Sequence, residues 1–201
     1  MMVKLYPCIF LFGGLILNSV FKDCLERSPI IAAVNRKNFN SALKSPCEII
    51  FLLNASLIDI EEHISEAHKF KKKIFVHIDL AEGIGKDKIG IEFLARLRVD
   101  GIISTRAQII RFAKDAGLIT VQRFFALDTK GLDSISDMLD NINPDLIEIM
   151  PGVVYKAIKH FSYLPIPVIA GGLIETKSEV TEALSNGAEA VSTGTEELWY
   201  I

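Results

Sequence analysis

The chain has 201 residues, half of them hydrophobic, and a formal net charge of −3. That length suits one domain, or at most two small ones, around a substantial core. The slight negative charge excludes bulk attraction to nucleic acid, so any such contact needs a local basic patch.

At the N-terminus, Cys8–Leu17 reads CIFLFGGLIL. This run is too short to cross a bilayer as a helix, and no A-x-A-like cleavage site follows it. We read residues 1–17 as an apolar extension whose start is assigned too far upstream, with translation beginning near Leu17 or Val20. An extra apolar segment packed on the domain is the alternative. Residues 18–201 are then expected to form one domain. The three cysteines, Cys8, Cys24 and Cys47, show no C-x-x-C spacing. They argue against a disulfide framework or a zinc site and for a reducing, cytoplasmic location. No metal, cofactor or membrane partner is expected.

Eight short apolar runs follow: Ile30–Val34, Ile49–Leu53, Ile74–Leu80, Gly101–Ser104, Ile119–Phe124, Leu146–Met150, Val168–Ala170 and Ala190–Ser192. They are mostly continuous rather than alternating, as in parallel strands covered on both faces. Between them lie helix patterns at Leu57–Lys71, Ile89–Leu97, Ala107–Lys114, Leu132–Ile142 and Val153–Phe161, and another after Thr176. Thr105-x-x-Gln108 and Thr176-x-x-Glu179 read as capping boxes, and Gly117 and Gly187 as helix stops. No linker or composition break interrupts the series. Eight strands, each followed by a helix or turn, predict an α/β fold: a small (β/α)8 TIM-type barrel with short loops. A doubly wound open sheet is the runner-up, with two edges left to protect.

In such a barrel the C-terminal strand ends form the site, and the loops after strands seven and eight hold phosphate. Gly171 and Gly172 follow the seventh strand; Ser192, Thr193 and Gly194 close the eighth. Small residues there let backbone amides approach an anion. A mere tight turn is the plainer reading of the double glycine. His77, Asp79, Glu82, Arg106, Gln122, Arg123 and Glu148 sit at or near the other strand ends. Charges in apolar strands are costly unless paired, so this set reads as the ligand-binding rim for a small phosphorylated polyol. A structural ion network joining Arg106 or Arg123 to Asp79 or Glu148 is the alternative. His63, His68 and His160 fall on helix patterns and read as surface residues, Met138 and Met150 as packing. The segment Lys69–Lys73, KFKKK, reads as a solvated helix end favoured by the dipole, with a nucleic-acid patch as the minor alternative.

The segments PIIAAVN, IFVHIDLAEGIGKDKIGIEFL, DGIISTR, VQRFFALD, PDLIEIMPG, IAGGLI and AVSTG, in order from Pro29 to Trp199, resemble the glycerol-uptake operon antiterminator family. Residues 1–17 fall outside that pattern. The resemblance implies a barrel-type regulator responsive to glycerol 3-phosphate that acts on the leader mRNA of glycerol genes and prevents early termination. RNA binding comes from the resemblance alone, since no RNP, KH or double-stranded-RNA motif is visible. The alternative is a barrel enzyme, an isomerase or lyase on a small phosphorylated substrate, with Asp79 and Glu148 as acid and base. No lysine stands at the C-terminal end of a strand, which disfavours Schiff-base chemistry. The reading leaves a homo-oligomer open.

Overall fold

The computed structural model describes residues 23–126 and 129–201, so the extension expected over residues 1–17 lies outside it. Eight parallel strands close into a barrel in chain order. They are β1 Ile30–Val34, β2 Ile49–Leu52, β3 Lys73–His77, β4 Gly101–Ser104, β5 Ile119–Phe125, β6 Leu146–Met150, β7 Val168–Gly171 and β8 Ala190–Thr193. Pairing of β1 with β8, Ile31 opposite Ser192, completes the ring. The helices are α1 Phe39–Lys44, α2 Ile60–Lys69, α3 Lys88–Arg96, α4 Ala107–Asp115, α5 Thr129–Ile142, α6 Tyr155–Phe161 and α7 Lys177–Ser185. Two 3-10 turns, Ile78–Leu80 and Glu196–Tyr200, follow β3 and β8.

Alternation along each strand divides the core in two. One set of side chains, including Ile50, Val76, Ile102, Phe124, Ile147 and Val191, packs outward against the helices. The other set, Ile31, Ile49, Phe51, Phe75, Ile103, Val121, Leu146, Ile169 and Ala190, fills the barrel. Cys24 and Leu25, from the helical residues 23–27, join this inner set and plug its N-terminal end. Moving along the same inward rows toward the C-terminal ends, the side chains turn polar: His77, Arg123, Glu148 and Ser192. The barrel is therefore an apolar cup with a polar mouth, and that gradient positions the site.

Several local expectations are corrected. The apolar run through Leu80 stops being a strand at His77, and Asp79 sits in a 3-10 turn instead of on the strand's inner row. Helix α1, six residues long, was not anticipated; Asn38 Oδ1 accepts from the Asn35 amide just before it. The Thr176 capping box is present, with Glu179 closing it. The Thr105 box is not, because the Thr105 hydroxyl donates to Asp79 at 2.9 Å and α4 begins without a side-chain cap. Gly117 and Gly187 do end helices, with φ of 77° and 98°. His63 is half-buried, its ring 4.4 Å from that of Phe39, and Met138 is exposed instead of packed.

Candidate functional site

A cavity of about 340 Å³ opens at the C-terminal mouth of the barrel. Its floor is built by neighbouring strands. Arg123 on β5 and Glu148 on β6 are register partners, and Arg123 Nε donates to Glu148 Oε2 at 2.6 Å. Glu148 is fully buried, and its other oxygen accepts the Ser192 hydroxyl at 2.6 Å across the barrel. The same carboxylate lies against Gly171, where any Cβ would collide with it. Glycine is therefore required at 171 by the close approach of a side chain. A buried carboxylate is tolerated because a guanidinium and a hydroxyl satisfy it.

Above that floor stand the two turns after β7 and β8. Gly172 adopts φ 75° and Leu173 φ 59°. A Cβ at Gly172 would come within 2.6 Å of the Met150 methyl. Left-handed backbone is routine for glycine and unusual for leucine, so the β7 turn holds a strained residue at the cavity edge. Across from it, Thr193 Oγ1 donates to the Ile174 carbonyl at 2.7 Å, and Trp199 Nε1 donates to the Thr193 carbonyl at 2.9 Å. These two bonds tie the β8 turn to the β7 turn and to the C-terminal 3-10 segment. The Thr195 amide is used by Thr193 Oγ1. The amides of Gly172, Leu173 and Gly194 make no hydrogen bond among the described residues, and all three residues line the cavity. Unpaired amides beside a buried guanidinium suit an anion.

The remaining candidates fall elsewhere on the rim. Asp79 accepts from Ser104 Oγ at 2.8 Å and from the Thr105 amide and hydroxyl at 2.7 and 2.9 Å. Arg106 Nε stands 3.6 Å from it and His77 Nε2 3.7 Å. Burial pushes the Asp79 carboxyl up, but His77 and these donors outweigh it and hold the group well below the usual carboxylate range. Asp79 is thus favoured as the anion and pins the β4 turn to the end of β3. His77 is buried on the inner row, and neither ring nitrogen has a hydrogen-bond partner among the described residues. Glu82 is paired with Arg36 at 3.5 Å over the β1 and β2 loops. Gln122, one residue out of phase with Arg123, projects to the helix side; its amide reaches only the Arg123 carbonyl at 3.4 Å. The cavity lining therefore unites Arg123, Glu148, Gly172, Ser192, Thr193 and Gly194, while His77, Asp79, Glu82, Arg106, Gln122 and Gly171 do not line it. The ion network weighed as an alternative is present in both its halves, Arg123 with Glu148 and Arg106 with Asp79.

Sequence reasoning missed Ala33, Leu53, Met150, Leu173, Ile174, Thr195 and the acid Glu175 in the lining. The first three sit on inward strand rows, so period-two counting would find them. Nothing local marks Leu173. No group of three or more histidine, cysteine or acidic side chains that could hold a metal ion occurs among the described residues. Among the same residues, no helix is long and apolar enough to cross a membrane.

Residues 30–199 match the family described as glycerol-3-phosphate responsive antiterminator. The chain belongs to that family. Its match runs from the first residue of β1 to Trp199, so the antiterminator pattern spans the whole barrel, and the family is one of regulators instead of enzymes. Among solved antiterminator structures, the chain is similar to the glycerol uptake operon antiterminator regulatory protein of Listeria monocytogenes. Identity there is 33%, coverage 86% of this chain and 95% of that one, and TM-score 0.80. It is also similar to a glycerol uptake operon antiterminator-related protein of Thermotoga maritima, at 30% identity, 85% and 96% coverage and TM-score 0.77. The uncharacterized protein YgcP of Escherichia coli is 32% identical over 178 residues, covering 87% of this chain and 93% of that protein. A deoxyribose phosphate aldolase from Aeropyrum pernix, at 15% identity, 95% and 96% coverage and TM-score 0.64, shares the fold alone. Among the described residues the inward positions at the strands' C-terminal ends carry no lysine, the residue Schiff-base aldolase chemistry uses.

Proposed function

We propose that this chain is a cytoplasmic antiterminator that binds glycerol 3-phosphate in the mouth of its barrel and, when liganded, acts on the leader mRNA of glycerol-utilisation genes. The observation that carries the reading is the pair of turns with unpaired amides, Gly172-Leu173 and Gly194, facing one cavity over Arg123. The phosphate lies between these turns, with Gly171 and Thr193 forming their stems. Each amide bond to a charged oxygen is worth roughly 1.5–3 kcal/mol. The glycerol hydroxyls reach down to the Arg123–Glu148–Ser192 floor, which offers both a donor and an acceptor. A diol fits that mixed floor better than a second anion, because Glu148 would repel one.

Response to ligand requires two states with different affinity. The β7 turn, with its left-handed leucine, is the part that binding would reshape. The test is a gel shift with the leader RNA transcribed ahead of the glycerol-uptake genes of the same genome, with and without glycerol 3-phosphate. The reading expects RNA binding that glycerol 3-phosphate changes and that glycerol or inorganic phosphate alone changes less. No RNA binding in either state at low salt contradicts it.

A further inference from the structure

The face of the barrel opposite the ligand cavity carries an unexplained combination of features. The turns after α1, α2 and α3 lie side by side there, since they feed the adjacent strands β2, β3 and β4. Side-chain contacts hold them together. Lys72 Nζ donates to the Ser45 and Cys47 carbonyls at 2.5 and 2.6 Å, and Asp100 takes His68 and Lys73 at 2.9 Å each. Two acids of this sector are taken, Asp100 by those two and Glu48 by Arg27 at 2.6 Å, while Glu66 on the last turn of α2 has no ion-pair partner among the described residues. Lys44, Lys69, Lys71, Arg96 and Arg98 are exposed and have no ion-pair partner among the described residues.

The backbone argues that some of these charges are placed deliberately. Helices α2, α3, α4 and α7 all end with a left-handed residue just beyond the cap. In α4 and α7 that residue is Gly117 and Gly187; in α2 and α3 it is Lys71 at φ 58° and Arg98 at φ 64°. Glycine is the undemanding choice at this position. A cation there accepts a conformational cost, and neither side chain has an ion-pair partner among the described residues that would offset it. Phe70, next to Lys71, is half-exposed and does not belong to the residues packed on the core. Its turn is fixed by the Phe70, Lys71 and Lys72 amides, which donate back to Glu66, His68 and Ala67. A half-exposed aromatic ring on a turn fixed by backbone bonds, with unpaired cations on its own and the adjacent turns, is the chemistry that receives single-stranded nucleic acid, with bases stacking and phosphates neutralised.

We propose that the Phe70-Lys71 turn, flanked by Lys44, Lys69 and Arg98, is the surface on which single-stranded RNA docks, one base stacking on Phe70. This rests on the RNA reading given above and adds to it the contact face. It also places RNA across the barrel from the ligand, so the two sites communicate through the strands and do not share a surface.

The experiment uses the full chain and the same leader RNA in fluorescence anisotropy across a salt series. Phe70→Leu, which keeps apolar bulk but cannot stack, is expected to weaken binding between about five- and a hundredfold, and Phe70→Trp to restore it. Lys71→Glu with Arg98→Glu is expected to weaken binding more than about tenfold and to flatten the salt dependence by one to two counterions. Lys156→Glu, on α6 away from this sector, is expected to bind as the parent does. All variants should retain glycerol 3-phosphate affinity by calorimetry, which shows that they are folded. If the parent binds RNA and the Phe70 and Lys71/Arg98 variants bind equally well, this face is wrong and the RNA reading stands. If the parent binds no RNA at any salt, the RNA reading falls and this face falls with it.

Discussion

Arg123 Nε and Glu148 Oε2, register partners on β5 and β6, stand 2.6 Å apart inside the barrel, and Glu148 has no exposed surface. Neither charge can be removed alone without leaving the other buried and without its partner at the cavity floor. Arg123→Met is expected to lower the unfolding free energy in urea by about 3–5 kcal/mol. Glu148→Gln should cost less, about 1–3 kcal/mol, because its amide oxygen still accepts from Arg123 and the Ser192 hydroxyl can turn to accept from its NH2.

The same pair sets the charge beneath the cavity. Glu148→Gln removes the single acid of the floor and leaves Arg123 facing upward uncompensated. Affinity for inorganic phosphate, read by calorimetry, is therefore expected to rise several-fold. Selectivity for glycerol 3-phosphate over phosphate is expected to fall, because the floor loses its charged acceptor for a hydroxyl.

Gly172 is held at φ 75°, with the Met150 methyl 2.6 Å from where a Cβ would stand. Gly172→Ala should destabilise the fold by about 1 kcal/mol and displace the amide it carries. Glycerol 3-phosphate binding should weaken at least about tenfold, equivalent to the loss of one charge-assisted hydrogen bond. Gly172→Asp should abolish it. Unchanged affinity in both variants would count against the phosphate position.

Asp79 is held below the ordinary carboxylate range by His77 and by Ser104 and Thr105, against the opposing effect of burial. A depressed native value means that the stabilisation is complete above the unfolded value, about 4. It is lost as pH falls below that toward the native value. Asp79→Asn is therefore expected to lower stability at neutral pH by about 2 kcal/mol. It should also make the acid limb of the stability curve shallower below pH about 4, as measured by urea unfolding across pH.

Much of the fold could be read from the chain because parallel strands buried on both faces announce themselves by composition. IIAAV, LIEIM and VIA carry almost no polar residue, and their order sets the barrel. Where reading failed, a distant partner had overruled a local pattern. IFVHIDL continues to look like a strand through Asp79, yet the chain turns at Ile78 because Asp79 is claimed by Ser104 and Thr105, some 25 positions on. Thr105 and Thr176 open the same capping pattern, and only Thr176 keeps its hydroxyl for the helix. Gln122 looked like a ligand contact because it is polar within an apolar strand. Its phase relative to Val121 and Arg123 assigns it to the helix side, and that signal lay in the sequence unused. Leu173 could not be found at all, since its left-handed backbone is imposed by the turn around Gly172 and by no motif of its own.

Gly101 gives a check on the inner core that is independent of the ligand. A Cβ there would run into the Phe75 ring and approach the Ile119 carbonyl to 2.6 Å. Gly101→Ala is expected to cost more than about 2 kcal/mol through overpacking. Adding Phe75→Leu should recover part of that loss, as judged by denaturant midpoints.

The central claim is that one phosphate sits between the turns after β7 and β8. Titration of 15N-labelled protein with glycerol 3-phosphate, followed by amide NMR, tests it most directly. The amide protons of Gly172, Leu173 and Gly194 should move downfield together and saturate at one ligand per chain, while glycerol leaves them in place. Saturable binding that shifts other amides and leaves these three unmoved would contradict the account.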